Sequence, residues 1–180
     1  MLVATPDGTR RPTHRPPLTS AGGGVRWGPF IWQAGGRVRH SWKDRTVSAA
    51  EGAELLGLEP GMVVEEVGWD EDVDASLREH IMDIIDADMV EEALEGVDVV
   101  LLWWRDDDGE VADGLVEAMT DLAPQGYIWL MTPKVGRDGF IEASDLDEGA
   151  VTAGLALTGT ANVSAEWQAH KVVRPKSSRR

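Results

Sequence analysis

The sequence predicts a three-layer α/β domain: a mostly parallel sheet of about five to six strands between helices, ending in an antiparallel hairpin. Three observations carry this. Val97 to Trp103 is apolar at every position except Asp98 and does not alternate, the pattern of a strand covered on both faces. Strand-like and helix-like runs alternate from Ala50 onward, which implies right-handed crossovers and helices on both faces of the sheet. The last two β-rich runs, Leu155 to Val163 and Glu166 to Val173, have no helical segment between them.

Ala50 to Leu56 reads as a short helix closed by Gly57, and Glu59-Pro60-Gly61 as a turn into a strand over Met62 to Val67. Asp70 precedes an acidic turn, and Val73, Leu77, Ile81 and Ile84 fall at helical spacing, so a helix is expected over residues 71–85. Ala87 to Glu91 is expected as a short strand and Val97 to Trp103 as the central one. Val111, Leu115, Met119 and Leu122 mark the next helix, Pro124-Gln125-Gly126 a turn, and Tyr127 to Met131 another buried strand. Ser144 to Asp147 resembles a capping box opening a third helix that ends near Gly154.

Charge is divided unevenly along the 180 residues. Residues 1–46 are net +6 and the rest net −21. The first segment is about a quarter Pro and Gly, which predicts a disordered arm, and its Trp27, Trp32 and Trp42 interleave with arginines. A native start near Val47 is expected, with residues 1–46 as translated upstream sequence, since arginine outnumbers lysine thirteen to four as in a GC-rich genome. Residues 47–175 are then the single α/β domain and 176–180 a basic tail. The acidic body repels phosphate backbones and so is not expected to bind nucleic acid. With no cysteine, thiol chemistry and disulfides are excluded. No apolar run suits a bilayer span or a signal peptide, so a soluble, cytoplasmic protein is expected, without a membrane partner.

In parallel sheets ligands bind beyond the carboxyl ends of the strands. Three such ends are Gly68-Trp69-Asp70, Trp104-Arg105-Asp106 and Thr132 to Arg137. Neighbouring residues of a strand face opposite sides, so one of Trp103 and Trp104 packs under a helix. The other is expected to emerge beside Trp69 and Arg105 as a stacking platform. Arg105, Lys134 and Arg137 would form a basic focus suited to a carboxylate or phosphate. The candidate ligand-binding residues are therefore Trp69, Asp70, Trp104, Arg105, Asp106, Lys134 and Arg137.

Other chemistries find no footing in the body. It has no phosphate-binding P-loop, no G-x-S-x-G elbow, no H-E-x-x-H and no G-x-G-x-x-G after a strand. His80 and His170 stand on different elements without a carboxylate at ligand spacing, and both read as structural. For Asp106 to Gly109, placing Gly109 at the sixth position of a calcium loop puts Trp104 first and Leu115 last, where carboxylates are needed. These acids are expected instead to lead and cap the following helix. No catalytic or metal residue is assigned.

LLGLEPGMVV (residues 55–64), VDVVLLWWRD (97–106), LAPQGYIWLMTPK (122–134) and Glu166-Trp167 before Lys171-Val172-Val173 together resemble the actinobacterial family called domain of unknown function 3052. The resemblance covers residues 50–175 and implies a cytoplasmic protein and a fold, with no activity attached. That family is in turn similar to the second half of class I S-adenosylmethionine-dependent methyltransferases, which implies a Rossmann-like, methyltransferase-like sheet. There a D-V-V-L-L strand, a helix, an L-x-P-G-G turn, a strand ending in T-P and a closing antiparallel hairpin follow in this order. The departure lies after the first strand, where the enzymes carry a Gly-rich cofactor loop and this chain has Gly68 followed by bulky Trp69. Gly68 to Gly96 is also too short for two strand–helix units. S-adenosylmethionine is therefore not expected as a cofactor.

The reading favoured by sequence is a non-catalytic module that binds a small anionic or planar ligand, or a protein partner, at the carboxyl edge. The alternative is an enzyme: a divergent methyltransferase, or one with Asp70 or Asp106 as base and Lys134 as electrostatic stabiliser.

Overall fold

The computed structural model describes residues 46–92 and 96–176. The expectations for the N-terminal arm, its tryptophans and the last four residues lie outside these.

Helix α1, Ala49–Leu55, opens on a capping box in which Ser48 Oγ accepts from the Glu51 amide and the Glu51 carboxylate accepts from the Ser48 amide. Strand β1, Val64–Val67, follows the turn at Gly61, where φ is 87°. Helix α2, Ala75–Ile85, starts later than the spacing predicts, because Asp74 and not Asp70 caps it, accepting from the Leu77 amide at 3.0 Å. Residues 68–74 are left as a loop. The short strand expected over 87–91 reduces to one bridge, Val90 bonding Val64 and Glu66 on the outer edge of β1.

Strand β2, Val97–Trp103, leads into a single turn, Asp106–Asp108, and helix α3, Val111–Ala118. Leu122 continues the helical spacing but belongs to strand β3, Leu122–Pro133, where it pairs with Val97. The expected turn at Pro124-Gln125-Gly126 is a bulge within β3: pairing jumps from Val97–Leu122 to Val99–Tyr127. Arg174 fixes it by donating to the carbonyls of Met119, Leu122 and Ala123. Helix α4, Ala143–Thr152, has Glu142 at its N-cap, and the Ser144 hydroxyl donates to Asp145, so the expected capping box does not form. Strands β4, Ala156–Asn162, and β5, Trp167–Val173, form the expected hairpin.

The strand order is β1-β2-β3-β5-β4, parallel across β1, β2 and β3 and antiparallel across the rest. β3 holds the middle place expected of β2, because β5 inserts between β3 and β4. The alternating side chains of β2 feed two cores. Val99, Leu101 and Trp103 pack with Leu56, Leu77 and Ile81 of the α1–α2 side, while Val100 and Leu102 pack with Leu115, Leu146 and Ala150 of the α3–α4 side. This is the expected three-layer α/β sheet. Among the described residues no helix is long and apolar enough to cross a membrane.

Candidate functional site

The carboxyl ends of β1, β2 and β3 share one edge of the sheet. The start of antiparallel β5 joins them there, with Pro133 paired to Trp167. At the β1 end the chain turns on Gly68, φ 74°, where a Cβ would lie 2.3 Å from the Trp103 carbonyl oxygen. Only glycine fits, and its bare side is turned against β2. Trp69 follows, 53% exposed, with the Arg78 guanidinium 5.6 Å from its ring centroid. Asp70 shapes the loop, its carboxylate accepting from the Glu71 amide at 2.7 Å and its carbonyl from the Val73 amide at 3.2 Å.

Arg105, just past β2, is the hub of this edge. Its Nε and Nη2 donate to the Asp72 carboxylate, the first at 2.9 Å, and its Nη1 donates to the Gly68 carbonyl at 2.9 Å. Nη1 also lies 3.6 Å from Asp108, and the guanidinium sits 5.2 Å from the centroid of Trp167. The side chain is only 11% exposed. Burial works against its charge, but the Asp72 hydrogen bond and the fields of Asp72 and Asp108 outweigh it and hold the pKa above the usual arginine value. Gly139 makes room, since a Cβ there would stand 2.8 Å from the Cβ of Arg105.

Beneath the hub runs a chain of polar and aromatic contacts. Trp167 Nε1 donates to the Asp72 carbonyl at 3.2 Å, and its ring meets Trp103 edge to face at 4.8 Å. Trp103 Nε1 donates at 2.9 Å to Glu66, a buried carboxylate that also takes both prongs of Arg78 at 2.7 and 2.6 Å. The Glu66 hydrogen bond exceeds the cost of burial and raises the Arg78 pKa.

The other expected residues are dispersed. Trp104 leaves β2 on the opposite side from Trp103 and lies against α3, where a Cβ on Gly114 would come within 2.5 Å of its ring. Its indole nitrogen is buried with no hydrogen-bond partner among the described residues. The structure thus does not stack Trp104 with Trp69 and Arg105: Trp69 pairs with Arg78, and Arg105 with Trp167. Lys134 donates from Nζ to the Ser164 carbonyl and from its amide to Glu166 at 2.8 Å. Burial lowers its pKa, opposed by Glu166 and helped by Arg137. Arg137 pairs with Glu166 at 2.7 Å. Each cation of the expected basic focus therefore has an internal partner.

Asp106 is exposed, its amide donating to the Gly139 carbonyl at 3.1 Å. The acids here do not cap α3, whose N-cap residue Glu110 makes no side-chain bond; Asp108 instead closes its own turn on the Arg105 amide at 2.8 Å. A cleft of about 440 Å³ opens at this edge, lined by Asp70, Glu71, Asp72, Arg105, Asp106, Asp107, Asp138 and Gly139. It holds six carboxylates against one arginine. Among the described residues no group of three or more His, Asp or Glu is placed to hold a metal ion. Sequence reading missed Glu66, Asp72, Arg78, Trp103 and Trp167 as partners of this edge. Trp167 alone carried a signal, because an antiparallel β5 must begin where β3 ends.

Among solved structures the chain is similar to the mitomycin 7-O-methyltransferase MmcR, with 11% identity and a TM-score of 0.49, covering 71% of this chain and 54% of that one. It is also similar to a SAM-dependent methyltransferase from Thiobacillus denitrificans in complex with S-adenosyl-L-homocysteine, with 11% identity and a TM-score of 0.47, covering 74% of this chain and 96% of that one. Uncharacterized protein Mb2263c of Mycobacterium bovis and uncharacterized protein Rv2239c of Mycobacterium tuberculosis are each 41% identical over 130 residues, 72% of this chain and 82% of theirs. Residues 53–176 match the family model described as protein of unknown function (DUF3052), and the chain belongs to that family.

Proposed function

We propose that this chain is a non-catalytic, methyltransferase-like recognition module of the cytoplasm, which takes a planar or positively charged group of a small molecule or protein partner at the carboxyl ends of β1 and β2. The observation that carries this reading is the cleft lined by Asp70, Glu71, Asp72, Asp106, Asp107 and Asp138, whose one arginine is tied to Asp72 and the Gly68 carbonyl. An anion entering it would meet carboxylates, while a guanidinium, amine or heteroaromatic cation would find acceptors on several sides and the exposed Trp69 on the same loop. Support therefore moves from the anionic ligand to the planar or cationic one. What weighs against S-adenosylmethionine is that the single glycine after β1 turns its bare side to the Trp103 carbonyl and is followed by bulky Trp69, and that Arg105 ties the Gly68 carbonyl to Asp72 within the same loop.

Thermal shift of the full chain tests this, with spermidine and argininamide as cations, ATP and citrate as anions, and calorimetry with S-adenosylmethionine as a separate arm. The cations are expected to raise the melting temperature, with the rise reduced in Asp70→Asn and Asp106→Asn and by added salt. A response to the anions alone, no response to either cation, or micromolar binding of S-adenosylmethionine would overturn the reading.

A further inference from the structure

The two edges of the sheet differ. The outer edge of β1 is covered by Val90, which donates to the Val64 carbonyl at 2.9 Å and accepts from the Glu66 amide at 2.8 Å. Strand β4 at the other edge pairs only with β5, and among the described residues no strand lies on its far side. Thr158, Gly159 and Thr160, at its middle, are exposed. Soluble proteins usually protect such an edge with a charge or a proline, but from Val151 to Ala165 there is neither, in a chain of which 27% of residues are charged. Among the described residues the protection is a bulge between Leu157 and Gly159, which leaves Gly159 to Asn162 in regular register.

An open row of backbone donors and acceptors selects a strand as its occupant, and charge selects which strand. Residues 47–180 are net −21, so two copies repel wherever their acidic surfaces approach. An uncharged surface lets two such bodies meet without that repulsion. A basic partner would gain no charge contact from β4 and would be drawn to the acidic surfaces instead. We infer that β4 is a self-association edge, on which two copies of the chain pair antiparallel about a two-fold axis near Thr160 and join their sheets into one of ten strands. Such pairing is isologous: Thr160 opposes its own copy, and Gly159 opposes Ala161. The hydroxyls of Thr158 and Thr160 are already directed to Lys171 and His170 of the same copy, so the backbone supplies most of the contact. The dimer is accordingly weak and concentration-dependent.

Sedimentation equilibrium of the full chain between about 5 and about 500 µM tests this. The weight-average mass is expected to rise from the 19.6 kDa of one chain toward twice that value. Gly159→Glu fits without a clash, since nothing lies within 4 Å of a Cβ there. It is expected to weaken the dimer about tenfold or more, by placing like charges near the axis. Val116→Glu, at an exposed position on α3, should associate as wild type. Salt should strengthen the dimer by screening repulsion, and the β4 amides should gain hydrogen-exchange protection with concentration. If the melting curve shows that Gly159→Glu is misfolded, Thr158→Glu takes its place. A chain that stays monomeric throughout, association untouched by the edge variant, or association weakened by salt would each overturn the inference.

Discussion

His170 holds both ring nitrogens against threonine hydroxyls, Nε2 3.1 Å from Thr132 and Nδ1 3.2 Å from Thr160, and is 6% exposed. Burial lowers its pKa to about 4, below the 6.5 of the free side chain. Between these values the unfolded chain binds the proton and the folded chain does not. The stability that the neutral ring contributes is therefore complete above about pH 6.5 and is lost as the pH falls toward about 4. The loss should reach about 2 kcal/mol by about pH 5. Urea unfolding of wild type and His170→Gln between neutral and mildly acid pH isolates this contribution, because the carboxylates titrate in both. Wild type should lose more stability than the variant as the pH falls, and equal losses would show that His170 does not carry the effect.

At the scale of elements, the loop of residues 68–74 is held from three sides: by Arg105 on Gly68 and Asp72, by Trp167 on Asp72, and by Arg78 under Trp69. Arg105→Ala should leave the sheet intact and raise amide exchange over residues 69–74 by about tenfold or more, with the β2 amides unchanged. Two glycines separate backbone hand from packing. Gly136, φ 84°, has open space around a Cβ, so Gly136→Ala should cost about 1 to 2 kcal/mol. Gly68 has a similar φ of 74° but meets the Trp103 carbonyl at 2.3 Å, so Gly68→Ala should cost at least about 2 kcal/mol more in chemical denaturation. Equal costs would mean that the carbonyl contact contributes nothing.

These contacts mark what the sequence could disclose. The apolar run of β2 and the β4–β5 hairpin are local patterns, and they were legible. Leu122 kept a helical spacing yet became strand, because Val97 needed a partner and Arg174, more than fifty residues away, ties down the bulge. Ser144 matched a capping box that the chain passes over in favour of Glu142. At the candidate site, Trp69, Asp70, Arg105 and Asp106 could be placed at the carboxyl ends of β1 and β2 from strand order alone. That Arg105 turns inward to Asp72 could not, because it depends on a loop conformation that no periodicity encodes.

At the scale of the whole molecule, the charge of the acidic body sets the response to salt. Exposed pairs such as Arg137–Glu166 contribute little and weaken on screening, while the Arg78–Glu66 pair is shielded by a carboxylate only 3% exposed. Against these small losses stands mutual repulsion among acids crowded on one edge, Asp70, Glu71, Asp72, Asp106 and Asp107, in a chain of net charge −15. Screening relieves that repulsion in the folded state more than in the expanded unfolded chain. The melting temperature should therefore rise by about 2 to 5 °C as potassium chloride goes from about 0.02 to about 0.5 M, equivalent to about 1 kcal/mol for a chain of this size. Chloride is chosen over sulfate so that surface exclusion of the salt does not imitate screening. The rise should shrink in an Asp106→Asn, Asp107→Asn double variant, which removes two of the crowded charges. A melting temperature that falls with salt would show that attractive pairs, and not the acidic surplus, govern the folded state.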